Sequence, residues 1–127
     1  MRILLLFLLA FSLPIASNAQ QQGGFIYIID KTAEGNVYFM SEYLEAKFPG
    51  DHDGIDAQRK SFDQKFKDYV LENYDLVDYQ LVQNDWMEPG RGVYPDRAYA
   101  KKLDNIPVMD EGSKIIIVEG FQLIATK

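Results

Sequence analysis

"FIYIID", Phe25 to Asp30, is the stretch on which the fold turns. Its β-branched and aromatic residues run into the turn-like "KTAEGN", and "VYFM", Val37 to Met40, follows, so the pair predicts two strands of a hairpin. Upstream, "QQQGG" at Gln20 to Gly24 is the one low-complexity stretch and predicts a flexible leader. Downstream, "SEYLEAKF" supports two readings. Met40, Tyr43, Leu44, Lys47 and Phe48 fit helical spacing, while Tyr38, Met40 and Leu44 fit one side of an extended strand.

The clearest helix is predicted from about Ala57 to Tyr74, because Phe62, Phe66, Tyr69, Val70 and Asn73 form one stripe, with Asp63, Gln64, Lys65, Lys67 and Asp68 outside it. "DLVDYQLVQ", Asp75 to Gln83, alternates Val77, Tyr79 and Leu81 against Asp78 and Gln80, which predicts a strand with one covered face. A second helix is expected from Pro95 to Asp104, with Pro95 at the first helical position and Tyr99, Leu103 and Ile106 along one side. "KIIIV", Lys114 to Val118, predicts a central strand, and Gly120 a bend after it. The order β-β-α-β-α-β predicts an α+β two-layer sandwich of about four strands with both helices on one face, and a ferredoxin-like arrangement of the last elements is one option. A sheet face left bare would carry apolar side chains, for which a homodimer is one remedy.

The first nineteen residues are expected to be a cleaved secretory signal. Arg2 gives a positive start, Ile3 to Phe11 a short apolar run, and Ser17-Asn18-Ala19 a small-residue cleavage site before Gln20. Pro14, Ser17 and Asn18 interrupt the run before the roughly 20 apolar residues that a spanning helix needs. The chain has no cysteine, so a lipid anchor on a cysteine at that site is excluded, and no disulfide supports the fold. Removing residues 1–19 from 127 leaves 108, the size of a single domain over residues 25–127 after the leader at 20–24. The mature chain would carry 12 basic and 19 acidic residues, a net charge of −7. That balance argues against a nucleic-acid surface and against anionic membranes, and it suits a basic or neutral partner.

No chemical motif stands out. "FPGDHDGIDAQ", Phe48 to Gln58, holds the only histidine, His52, among Asp51, Asp53 and Asp56. Taking Gly54 as the sixth position of a calcium loop puts Pro49 at the first and Lys60 at the twelfth, where oxygen ligands are required. One His and no Cys do not make a zinc site. The stretch reads as a turn, with Asp53 or Asp56 capping the helix. No metal, cofactor or catalytic set is expected. Ser41, Ser61 and Ser113 lack a nucleophile context, and 19 acidic residues allow so many carboxylate pairs that none is singled out.

One further segment carries recognition chemistry. "NDWMEPGRGVYP", Asn84 to Pro95, is read as a loop presenting Trp86, Arg91 and Tyr94, residue types enriched at binding hot spots. The opposing reading makes Trp86 a plug at the edge of the core. The functional expectation is an exported acidic binding domain with an unidentified protein or glycan partner, the alternative being a small secreted hydrolase or carbohydrate-acting enzyme that uses acidic residues.

Overall fold

The computed structural model of the protein describes residues 20–90, 92 and 94–123. The segment expected to be a signal, residues 1–19, and Arg91 lie outside them. Among the described residues no helix is long and apolar enough to cross a membrane.

The fold is α+β, a curled mixed sheet of five strands with two helices. In order these are β1 (Gln20–Thr32), β2 (Gly35–Ser41), β3 (Leu44–Phe48), α1 (His52–Asn73), β4 (Gln83–Met87), α2 (Pro95–Met109) and β5 (Lys114–Val118). The hairpin of β1 and β2 forms as the residue pattern requires, from Tyr27↔Met40 to Thr32↔Gly35. The strand reading of residues 44–48 is the one realised.

β1 organises everything else. Gly23 and Gly24 pair with β3 and also with β4, and Tyr27 pairs with β2 and also with β4. A strand has two edges, so β2 and β3 share one edge of β1 and β4 takes the other. Between the pairs Tyr27↔Met40 and Gly24↔Leu44, β1 has Phe25 and Ile26 where the opposing chain has Ser41, Glu42 and Tyr43. The extra residue is a bulge that bends the strand and divides it into β2 and β3. Ser41, fully buried, repairs the ladder there by accepting a hydrogen bond from the Ile26 N–H at 3.0 Å. β5 runs parallel to β2 on its outer side.

The stretch expected as a flexible leader is therefore the first half of β1, with Gln22, Gly23 and Gly24 all buried. Its two glycines are needed for contact. A Cβ on Gly24 would meet the Asp85 carbonyl and the Trp86 ring, and one on Gly23 would meet the Tyr43 hydroxyl and Pro95. Composition suggested flexibility; close approach of the chain on both faces is what these glycines serve.

Each face of the sheet carries one helix. Ile26 and Ile28 of β1 join Phe62, Phe66 and Val70 of α1 in one core cluster, while Phe25 and Tyr27 join Ile106, Tyr99 and Leu103 of α2 in another. Alternate side chains of a strand point to opposite faces, so the two clusters lie on the two sides of the sheet. Both helices on one face, the two-layer sandwich and the ferredoxin-like option are thus not what the chain builds. The apolar character of both parities of β1 is the physical reason, since each needs a cover. The ground for a dimer that covers a bare face goes with it.

α1 begins earlier than the apolar stripe suggests. Asp51, rather than Asp53 or Asp56, is its N-cap and accepts from the Gly54 N–H at 3.0 Å, so most of the aspartate-rich stretch is the helix's first turn. α2 likewise runs on through Pro107 to Met109, past the predicted end at Asp104. At its far end the Asp110 carboxylate accepts from Asn36 at 2.8 Å and from the Tyr38 hydroxyl at 3.0 Å, tying the helix to β2. Burial, then Asp110, pushes the Tyr38 phenol up to about 12, so this tie keeps its proton throughout the neutral range.

The strand expected over Asp75 to Gln83 forms only at its end. Buried Asp30 accepts from the Val77 and Asp78 N–H groups at 2.7–3.0 Å and bends the chain as it leaves α1. Leu76 and Val82 then face the core, while Val77 and Leu81, of the other parity, are 77 % and 87 % exposed. Regular pairing resumes at Gln83, and there Trp86 is 7 % exposed, wedged between Phe48 and Phe62 with ring centroids 5.1 and 5.8 Å away. Its Nε1 has no hydrogen-bond acceptor among the described residues. Trp86 fluorescence should therefore be blue-shifted and resistant to acrylamide. Trp86→Ala should cost about 3–5 kcal/mol, and Trp86→Phe, which keeps a ring and removes the unpaired N–H, much less. Chemical denaturation of the two variants checks both.

Candidate functional site

A groove of about 540 Å³ runs between α1 and the connection that leads into β4. One wall is a single stripe of α1. Lys60, Asp63, Gln64 and Lys67 stand at i, i+3, i+4 and i+7, beside the apolar stripe that faces the sheet. The other wall is the run Tyr79, Gln80, Leu81 and Val82. Two backbone hydrogen bonds hold that run against the sheet edge. Gln80 donates its N–H to the Ile29 carbonyl at 2.7 Å and the Lys31 N–H donates to the Asp78 carbonyl at 2.9 Å, which together make the antiparallel bridge of Tyr79 with Asp30.

The positive charge of α1 is divided between the core side and this groove. Arg59, Lys60, Lys65 and Lys67 are four of the chain's 13 basic residues, placed within nine positions. Arg59 turns inward, donating to Gln22 at 3.2 Å and lying 5.9 Å from the Phe48 ring centroid. Lys65 donates to the Leu123 carbonyl at 3.0 Å. Lys67 sits 5.6 Å above the Tyr79 ring, and Lys60 has no hydrogen-bond or ion-pair partner among the described residues. The closest Lys or Arg approach to a carboxylate does not reach ion-pair distance among these residues, where the one ion pair within 4.0 Å is His52 with Asp56, exposed at 3.9 Å.

Asp63 is the carboxylate between the two groove lysines. The Asn84 amide donates to both its oxygens, at 2.9 and 2.8 Å. Burial pushes its carboxyl above the ordinary range, and the Asn84 hydrogen bond and the charge of Arg59 act in the opposite direction without cancelling that effect. The groove thus offers two ammonium groups, amides, a phenol and aliphatic surface. This is chemistry for holding a ligand by charge, hydrogen bonds and apolar contact. Among the described residues no group of three or more His, Asp or Glu side chains is placed to hold a metal ion.

The residues expected to recognise a partner are dispersed. Trp86 belongs to β4 and to the α1-side core, which leaves it almost no surface for a partner. Tyr94 stands at the N-cap of α2, 53 % exposed, with the Arg97 guanidinium 4.4 Å from its ring centroid. Arg91 falls outside the described residues. The groove itself escaped the sequence reading, which took Asp63, Gln64 and Lys67 only as the wet side of a helix. A signal was present: two lysines seven positions apart on one helical stripe of an acidic chain. Its second wall gave none, because Leu81 was assigned to a covered strand face.

Compared with known protein families, characterised proteins and solved structures, the chain matches none of them.

Because the folded state raises the affinity of Asp63 for its proton, the contribution of this side chain to stability is greatest where it is protonated and is lost as pH rises through the raised value. Asp63→Asn removes the buried charge and keeps an acceptor for Asn84. It should raise Tm at neutral pH, with the gain vanishing below the ordinary carboxylate range; thermal melts of both proteins across pH check the sign.

Proposed function

We propose that this protein is an exported, non-catalytic binding domain that acts in the cell envelope or the extracellular space and recognises a protein or glycan partner. The observation that carries the reading is the groove on α1, where unpaired lysine charge and exposed aliphatic side chains meet on a rigid frame. Leu81 gains nothing from exposure to water, and a partner bound in the groove would cover it. Tyr94, at the start of α2, adds an exposed ring to the same proposal, together with Arg91 of its loop.

Export is supported by the signal pattern, in which cleavage after Ala19 would make Gln20 the new N-terminus. A net charge of −7 on that mature chain disfavours nucleic acid, which needs clustered cationic contacts to many phosphates.

The reading is tested in the native host. The protein recovered from the extracytoplasmic fraction should start at Gln20 by N-terminal sequencing. As bait, it should retain a defined partner that Leu81→Asp, a change at an exposed position, releases. Retention of Met1 in the cytosol would overturn export, and equal capture by wild type and Leu81→Asp would remove the groove from the binding function.

A further inference from the structure

We infer that the groove between α1 and residues 79–82 takes an extended peptide segment of a partner protein in which acidic and apolar side chains alternate, its carboxylates on Lys60 and Lys67 and its apolar side chains on Leu81. This rests on the reading of the protein as a binding domain and names the ligand class of that site.

Charge complementarity gives the sign. Of the four basic residues clustered on α1, Arg59 and Lys65 are engaged elsewhere, by Gln22 and the Leu123 carbonyl, and Lys60 and Lys67 remain at the groove without a carboxylate partner. Asp63 lies between them, so with its charge counted in full the groove lining still carries two positive charges against one negative. The acidic balance of the whole chain does not reverse this. At physiological salt the screening length is about 8 Å, so a ligand seated in the groove feels mainly the charges lining it.

Spacing gives the form. Lys60 and Lys67 are two helical turns apart, about 10 Å along the axis. In an extended peptide, side chains on one face recur about every 6.5 Å, so carboxylates two or four residues apart fall within reach of the two flexible lysine stems. The opposite parity of such a peptide meets the run from Tyr79 to Val82, itself extended along the sheet edge, where Leu81 stands 87 % exposed. Leu81 and Val82 are aliphatic and give no platform for a sugar ring, while Lys67 already occupies a face of Tyr79. Those features favour a peptide over an acidic polysaccharide.

Fluorescence anisotropy on the mature protein, at physiological salt, tests the inference with four probes: fluorescein-labelled octapeptides alternating Glu with Leu, Gln with Leu, and Lys with Leu, and labelled polygalacturonate. The Glu–Leu peptide should bind at least tenfold more tightly than the other three. Lys60→Glu/Lys67→Glu should lose at least tenfold of that affinity, Lys60→Gln/Lys67→Gln a smaller part, and Leu81→Asp several-fold. Circular dichroism and Tm identify variants that fold, and the glutamine pair serves if charge reversal unfolds α1. Equal binding of the Gln–Leu peptide, unchanged affinity in a folded lysine variant, or no binding of any peptide would overturn the inference. Polygalacturonate binding as tightly as the Glu–Leu peptide would replace it with a site for polyanions. A partner captured from the host by wild type and lost with Leu81→Asp, alongside no response to the Glu–Leu peptide, would leave the binding domain standing and refute its acidic-peptide ligand.

Discussion

β1 is paired along both edges and packed on both faces, and every other element but β5, which pairs with β2, takes its position from that strand. Its thirteen residues carry β2 and β3 on one side and β4 on the other, while its two parities receive α1 and α2. Its middle, Phe25 to Ile29, has no wet face, which is why that stretch reads as an unbroken apolar run rather than an alternation. Without disulfides, the fold depends on this double burial. The glycine pair at its start is part of the same constraint. Gly24 lets the Trp86 ring lie against the strand, and Gly23 does the same for Tyr43 and Pro95 on the other face.

Periodicity made the regular elements legible. The Phe62, Phe66 and Val70 stripe located α1, Pro95 located the start of α2, and the β-branched runs located β1, β2 and β5. What periodicity could not show were the places where a single hydrogen bond or a missing side chain decides. Nothing local to "QQQGG" announces that it is needed for close packing rather than freedom. Nothing local to "DLVDYQLVQ" announces that Asp30, far away in sequence, will bend it. Once that bend is imposed, Leu76 and Val82 take the inward positions. The alternation of Val77, Tyr79 and Leu81, a sound strand signal in isolation, is turned to solvent.

The same displacement creates the candidate site. Had residues 75–83 formed a regular strand with Leu81 inward, the wall opposite Lys60 and Lys67 would be polar. Instead, the buried carboxylate of Asp30 anchors the chain, the chain exposes Leu81, and α1 supplies charge from the stripe next to its core-facing side. Trp86, chosen from sequence for its recognition chemistry, contributes by anchoring β4 so that this wall is held in place. The candidate groove is therefore a by-product of how β1 is completed on its second edge.

Native-state hydrogen exchange of the chain from Gln20 onward measures that dependence directly. If β1 is the element on which the others rest, the amides of Ile26, Tyr27 and Ile28 should be the slowest in the molecule, exchanging only through global unfolding, with an opening free energy equal to that from denaturant titration. Exchange at these three amides through a smaller opening, with α1 still protected, would contradict the account.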